Sequence, residues 1–147
     1  MTTPDHQDPA SMASVGGQLR VRQTVLDARD HRALAEFYRR LLAARYAPGS
    51  EPGQEEEPRF IELEASDAGV ALAFQVSATH QAPDWPDQHR VPAQAHLDID
   101  VPPGQLDRAI EYARSLGASI RSTAERAEGG VVLADPAGHP FCLLETG

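Results

Sequence analysis

An internal repeat constrains the fold of this chain more than any other feature of its sequence. Residues 23–27 (QTVLD) align with residues 96–100 (HLDID), and a segment with helical periodicity follows each of them. Residues 73–76 (AFQV) align in the same way with residues 140–143 (PFCL), at the end of each half. Because this order of elements recurs, the chain is predicted to contain two copies of one supersecondary unit.

Each copy is predicted to be a βαβββ module. In the first, residues 20–27 form a strand, Asp30 caps a helix, and residues 59–65 and 70–77 form strands. In the second, residues 95–101 form a strand, residues 106–116 form a helix that ends at Gly117, and the strands 119–124, 131–134 and 140–145 follow. The predicted fold is α+β, with both modules contributing to one cupped mixed β-sheet and with the helices on its outer face.

The chain divides into a tail and one domain. Residues 1–18 are polar and lack a periodic apolar pattern, so they are predicted to be a disordered tail. The domain spans residues 19–147, with modules at 19–78 and 94–146 joined by a linker that is rich in proline and carries Trp85.

Alternation along the strands predicts which side chains face the inside of the cup. In residues 96–101 the apolar Leu97, Ile99 and Val101 should face the helices, which turns His96, Asp98 and Asp100 inward. The apolar set Val70, Leu72, Phe74 and Val76 should pack against the first helix, which leaves Gln75 inward. By the same alternation Cys142 matches Gln75. The positions predicted to converge in the cup are therefore Gln23, Gln75, His96 and Cys142.

Composition excludes several classes of partner. The formal net charge of −9 argues against nucleic acid and against an anionic membrane surface. No apolar stretch is long enough to span a bilayer, and the N-terminus lacks the pattern of a secretory signal. The one cysteine, Cys142, cannot form an internal disulfide and fits a reducing compartment, so the expected location is the cytoplasm.

Three segments give the chain a family resemblance. These are residues 34–42 (LAEFYRRLL), 96–101 (HLDIDV) and 135–141 (DPAGHPF), and their order and spacing resemble the vicinal oxygen chelate superfamily. This superfamily includes glyoxalases, bleomycin-resistance proteins and extradiol dioxygenases. The linker with Trp85 and the C-terminal FCL segment are similar to its actinobacterial glyoxalase-like branch. The resemblance covers about residues 19–145 and implies a homodimer.

The resemblance also implies where a metal ion would bind. Metal-using members hold the ion with one residue from the first and one from the last strand of each module, which here are Gln23, Gln75, His96 and Cys142. Glutamine and histidine at the first and third positions resemble glyoxalase I. Glyoxalase I, however, has glutamates where this chain carries Gln75 and Cys142. A carboxylate there offsets the charge of the ion and moves the substrate proton, which neither an amide nor a neutral thiol does well.

Two functions therefore stay open. The first is a protein that binds a small organic molecule in the cup without a catalytic metal or another cofactor. Its predicted ligand-binding residues are Gln23, Gln75, Trp85, His96, Asp98 and Cys142. The second is a lyase or isomerase with one divalent metal ion held by Gln23 and His96, in which the ion polarises two adjacent substrate oxygens. A zinc site or a nucleophilic pair made by His96 and Cys142 is a further alternative for those two residues. Trp85 is either a wall over the cup or a packing anchor.

Overall fold

The fold begins with a three-stranded sheet and one helix. In the computed structural model, which describes residues 15–65, 69–85, 87 and 89–147, the first module contains β1 (Thr24–Ala28), α1 (His31–Leu41), β2 (Phe60–Glu62) and β3 (Leu72–Val76). The strand order is β1-β3-β2, with β1 parallel and β2 antiparallel to β3. The remaining strand of the expected module is reduced to one antiparallel bridge between Tyr46 and Leu63.

The second module is the more complete copy. It contains β4 (Leu97–Val101), α2 (Leu106–Ser115), β5 (Ser119–Ser122), β6 (Gly130–Ala134) and β7 (Pro140–Glu145), with a short 3-10 turn at Arg126–Glu128. The strand order is β4-β7-β6-β5, and only the β4–β7 pairing is parallel. Two mixed sheets with helices packed on one side confirm the α+β prediction.

Local sequence signals account for the helix boundaries. The Asp30 carboxylate accepts a hydrogen bond from the backbone N–H of Ala33 at 3.0 Å, as expected of an N-cap residue. After α2, Gly117 has a φ of 116°, a conformation that glycine adopts at little cost. The strands are mostly shorter than predicted; β1 begins at Thr24 rather than at residue 20.

The apolar faces of the strands pack as predicted, with one exception. Leu72, Phe74, Phe141 and Leu143 are buried in the common core, and the alternate positions of β3 and β7 face away from the helices. The prediction for Val70 is wrong. Its side chain is 67% exposed, because β3 begins only at Leu72 and Val70 therefore lies before the sheet.

A buried hydrogen bond joins the two modules. Tyr38 of α1 is fully buried, stacks on Phe74 of the first sheet and meets Phe141 of the second edge-on. Its hydroxyl donates to Asp135 at 2.7 Å, in the turn between β6 and β7. Helix α1 therefore packs against both sheets and fixes them relative to each other.

The linker packs against that same turn. Gly138 has a φ of +88°, and a Cβ atom on it would overlap the Cβ of Ala82. The Nε2 of His139 donates to the Asp27 carbonyl at 2.6 Å, and the Nε2 of His80 donates to the Ala137 carbonyl at 2.9 Å. The turn therefore anchors the start of the linker, which goes on to carry Trp85.

The predicted tail falls almost entirely outside the described residues. Of residues 1–18 only 15–18 are described, and there the N–H of Gln18 donates to the carbonyl of Val15 at 2.8 Å. Among the described residues, neither helix has the length and apolar character that crossing a membrane requires.

Candidate functional site

The candidate site is built on two neighbouring parallel strands of the second module. Asp98 of β4 pairs directly with Cys142 of β7, so both side chains emerge side by side from one face of the sheet. His96 comes two residues before Asp98 and is on the same face by alternation. One ligand atom of each of the three, the imidazole nitrogen, the carboxylate oxygen and the thiol sulfur, lies within 4.8 Å of the others. We call His96, Asp98 and Cys142 the β4–β7 group.

His96 and Asp98 form the polar and accessible part of this group. The Nε2 of His96 lies 3.2 Å from the Oδ1 of Asp98, and the two side chains are 41% and 57% exposed. A ligand can therefore reach both without a large rearrangement. The pair offers one imidazole and one carboxylate to an incoming polar molecule.

Cys142 is the half-buried member of the group. Burial raises the pKa of its thiol to about 11, and the charge of Asp98, a hydrogen bond to Asp98 and the charge of Glu125 act in the same direction. At neutral pH the side chain is therefore a neutral thiol that donates to the Asp98 carboxylate. In this state it is a poor nucleophile, since the thiolate is the reactive form.

Trp85 supplies an apolar wall beside the group. Its ring is stacked on the His96 imidazole, with centroids 5.2 Å apart and an angle of 17° between the planes. The linker carries this ring across to β4. The side chain predicted to be either a wall or a packing anchor therefore contacts the group directly.

The two predicted glutamines are placed elsewhere. Gln75 pairs with Asp27 of β1 and lines a cavity of about 490 Å³ together with Asp27, His80 and His139. Gln23 directly precedes β1 and is half-buried. No hydrogen bond among the described residues joins either glutamine to the β4–β7 group. Within one chain, the structure brings together four of the six predicted site residues: Trp85, His96, Asp98 and Cys142.

A larger cavity lies away from this group. It has a volume of about 740 Å³ and lies beside α1, where the Tyr46 ring is flanked by the guanidinium groups of Arg32 and Arg39 at 5.1 and 5.8 Å. None of the six predicted residues lines it. Both guanidinium groups are already paired, Arg32 with Glu57 and Arg39 with Glu36.

The donor atoms of the β4–β7 group match one metal better than others. An imidazole, a carboxylate and a thiol together suit zinc, whereas manganese and magnesium favour oxygen-rich sites. Bond lengths of about 2.0–2.3 Å place the ligand atoms of a tetrahedral zinc site roughly 3.3–3.8 Å apart. The group would therefore have to contract slightly, and Cys142 would have to lose its proton.

Sequence reasoning missed Glu125, which acts on the Cys142 thiol. Glu125 lies next to the 3-10 turn between β5 and β6. It contributes to the raised pKa of Cys142 through its charge. No periodic pattern predicts this approach, because it depends on how the turn folds back over the sheet.

Comparisons with known proteins agree on one fold. A family model described as a glyoxalase-like domain matches residues 23–144. The structure of a fosfomycin resistance protein from Mesorhizobium loti has a TM-score of 0.63 at 17% identity, covering 85% of this chain and 90% of that one. A glyoxalase/bleomycin resistance protein/dioxygenase family enzyme from Burkholderia phytofirmans has a TM-score of 0.63 at 15% identity, covering 84% and 96%.

A third solved structure was obtained as a complex. It is a variant of the fosfomycin resistance protein from Listeria monocytogenes bound to Mn(II) and a dihydroxypropylphosphonic acid, with a TM-score of 0.63 at 14% identity, covering 85% of this chain and 90% of that one. No curated protein is significantly similar in sequence to the chain. At these identities the structural matches establish the fold, and the site has to be argued from its own residues.

Proposed function

The chain belongs to the glyoxalase-like domain family of the vicinal oxygen chelate superfamily, and on that premise we propose that it binds a small organic molecule at the β4–β7 group. The observation that carries the proposal is the convergence of His96, Asp98 and Cys142 beside the Trp85 ring. Binding sites of this kind combine an apolar aromatic wall with a few polar groups that orient the ligand. The reducing cytoplasm is the proposed location, since Cys142 is a free thiol.

We propose that this binding needs no catalytic metal. In the metal-free protein the Cys142 thiol keeps its proton at neutral pH and is hydrogen-bonded to the Asp98 carboxylate. A neutral thiol hydrogen-bonded to a carboxylate is suited to contact an organic ligand, and a cation would have to displace its proton in order to bind there. The exposed Asp98 carboxylate also disfavours anionic ligands such as a phosphonate in the absence of a bound cation.

A metal-dependent lyase or isomerase is the second candidate. It is favoured by the close approach of three different metal-ligating atoms in the β4–β7 group. In this candidate His96, Asp98 and Cys142 would hold zinc; Gln23, the ligand expected from sequence, belongs to the other module. A zinc ion would supply a Lewis acid that polarises a substrate oxygen.

A second copy of the chain is proposed to complete the site. In one chain the β4–β7 group is open to solvent, and the face of the first sheet that carries Gln75 also exposes Val25 and Phe60. A homodimer in which that face covers the β4–β7 group would enclose the ligand and bury both apolar side chains. This arrangement would also bring Gln23 and Gln75 toward His96, as the sequence repeat predicts.

The test of ligand binding is stabilisation of metal-free protein. Chelator-treated, dialysed protein is heated with a library of small organic molecules, which includes fosfomycin as a phosphonate that is expected not to bind. A compound at 100 times its Kd should stabilise the native state by about 2.7 kcal/mol, a shift of several degrees in Tm. The shift should disappear in His96→Ala and persist in His89→Ala, since the described contacts of His89 involve only its backbone N–H.

Metal content separates the two candidates. Elemental analysis of protein purified without chelator should find no metal above background. About one zinc per chain, lost in His96→Ala and retained in His89→Ala, would overturn the metal-free proposal and favour the second candidate.

A further inference from the structure

The loop that carries Trp85 is closed by one carboxylate. Asp84 Oδ2 accepts hydrogen bonds from the backbone N–H groups of His89 and Arg90 at 3.0 and 2.9 Å, and Oδ1 accepts one from Val91 at 3.0 Å. The N–H of Asp84 in turn donates to the Val91 carbonyl at 3.0 Å. Four hydrogen bonds therefore tie the start of this loop to its end through a single residue.

Trp85 is the next residue after this anchor. Its ring lies on His96, and His96 is part of the β4–β7 group. We propose that Asp84 is a positioning residue that holds Trp85 against His96 and so builds one wall of the ligand site. This inference rests on the proposed function, because the Trp85 ring forms a wall of the site only where a ligand binds at the β4–β7 group.

The chemistry of the loop favours an aspartate at this position. Two carboxylate oxygens have lone pairs enough for three N–H donors, and hydrogen bonds to an ionised acceptor are stronger than those between neutral groups. Asparagine has one acceptor oxygen and a donor NH₂ group, so it cannot reproduce the pattern. At least one of the three backbone donors would then lack its partner, and the loop would have fewer restraints near Trp85.

The protonation state of Asp84 is consistent with this role. Partial desolvation acts to raise its pKa, but the hydrogen bonds from Arg90, Val91 and His89 outweigh it and place the pKa below its ordinary value. The acceptor is therefore ionised throughout the neutral range. The described contacts of its carboxylate are all with backbone N–H groups of its own loop, so Asp84 acts through Trp85.

Fluorescence tests this proposal without any ligand, because Trp85 is the only tryptophan of the chain. Acrylamide quenching is measured in the wild type, in Asp84→Asn and in Asp87→Asn. The last variant makes the same change of charge in the same loop, three residues further on. Loss of one hydrogen bond to a charged group shifts an opening equilibrium by about tenfold, so we expect the quenching constant of Trp85 to rise about twofold or more in Asp84→Asn.

Two further variants serve as controls for the quenching of Trp85. Asp87→Asn should quench like the wild type, and His96→Ala should expose Trp85 as Asp84→Asn does, since the stacking partner is gone. Equal quenching in the wild type and in Asp84→Asn would overturn the positioning role, whether or not any compound binds. Failure of the ligand screen with a raised quenching constant in Asp84→Asn would instead reject the proposed function and leave the loop geometry supported.

A second measurement covers the case in which Asp84→Asn does not fold. Amide hydrogen exchange of the wild type should show the N–H groups of Arg90 and Val91 slowed by about tenfold or more relative to an unstructured peptide. Exchange at the unstructured rate would show that Asp84 does not hold the loop and would overturn the proposal.

Discussion

At the scale of single residues, the neighbours of Cys142 determine the protonation state of its thiol. Its place on β7 puts it beside Asp98 on β4, and Glu125 adds a second negative charge nearby. Burial and these two carboxylates favour the protonated thiol. The residue is therefore a hydrogen-bond donor in the site, although its sequence position in the superfamily suggests a metal ligand.

Removing the Asp98 charge should make Cys142 more reactive. In metal-free protein at pH 8, a thiol of pKa about 11 is roughly 0.1% ionised, whereas a thiol at its ordinary pKa of 9.0 is roughly 10% ionised. The thiol stays buried in Asp98→Asn, so its ionised fraction should rise only part of the way between these two values. The alkylation rate with iodoacetamide should therefore rise by at least about threefold. The matched variant Asp100→Asn should leave the rate unchanged; an equal increase in both variants would contradict this account.

Strand alternation was sufficient to place half of the candidate residues. His96, Asp98 and Cys142 share a face because the period of a strand is two, a relation that short stretches of sequence contain. The neighbourhood of Gln23 and Gln75 depends instead on how one sheet sits against the other. That placement is set by contacts far apart in sequence, such as Tyr38 with Asp135, and no local pattern encodes it.

At the scale of elements, α1 carries the strongest surface network of the described residues. The Glu36 carboxylate accepts hydrogen bonds from Arg39 at 2.8 and 2.6 Å, from Arg40 at 2.9 Å and from the Tyr46 hydroxyl at 2.7 Å. These hydrogen bonds, those from Arg39 most of all, together lower the pKa of Glu36 to about 2 against the opposing effect of desolvation. The network ties the helix to the Tyr46 bridge that replaces a strand of the first module.

This network predicts a pH-dependent contribution to stability. The pKa of Glu36 is lower in the folded state, so its contribution is complete above about 4.5 and is lost as the pH falls toward about 2. Glu36→Gln should therefore lower the free energy of unfolding by about 1 kcal/mol at pH 7, and the difference should shrink below pH 4.5. Urea unfolding at pH 7, 5, 4 and 3 measures it.

A second helix provides the control for that series. Glu111 of α2 forms one exposed pair with Arg114 at 3.5 Å, so Glu111→Gln should have no measurable effect at any pH. A Glu36→Gln difference that stays constant from pH 7 to pH 3 would show that the loss comes from packing rather than from the charge.

Elements with strong periodicity were predictable, and irregular ones were not. The Asp30 cap, both helices and the last strand follow directly from the sequence. The Tyr46–Leu63 bridge and the loop closed by Asp84 do not, because their hydrogen bonds join residues in irregular conformations. The loop is nevertheless what places Trp85 on His96.

For the whole molecule, the open β4–β7 group predicts self-association. Light scattering should give a mass of twice the 15.9 kDa chain, because a second copy would cover the site together with Val25 and Phe60. Phe60→Glu should weaken this dimer, since a charge would replace an apolar contact. Ile120→Glu is the matched control: Ile120 is 40% exposed but pairs with the core residue Leu133, so it lies on the opposite side of its sheet. A monomer at all concentrations, or equal weakening by both variants, would contradict the proposed arrangement.

The most direct test of the central proposal is a titration of Trp85 fluorescence with a compound that stabilises the metal-free protein. A ligand at the β4–β7 group must change the surroundings of a ring that is stacked on His96. We predict a saturable change in emission whose midpoint matches the Kd from thermal stabilisation, and which is absent in His96→Ala. A compound that stabilises the protein and leaves Trp85 emission unchanged would bind elsewhere, and the assignment of the ligand site to His96, Asp98 and Cys142 would be wrong.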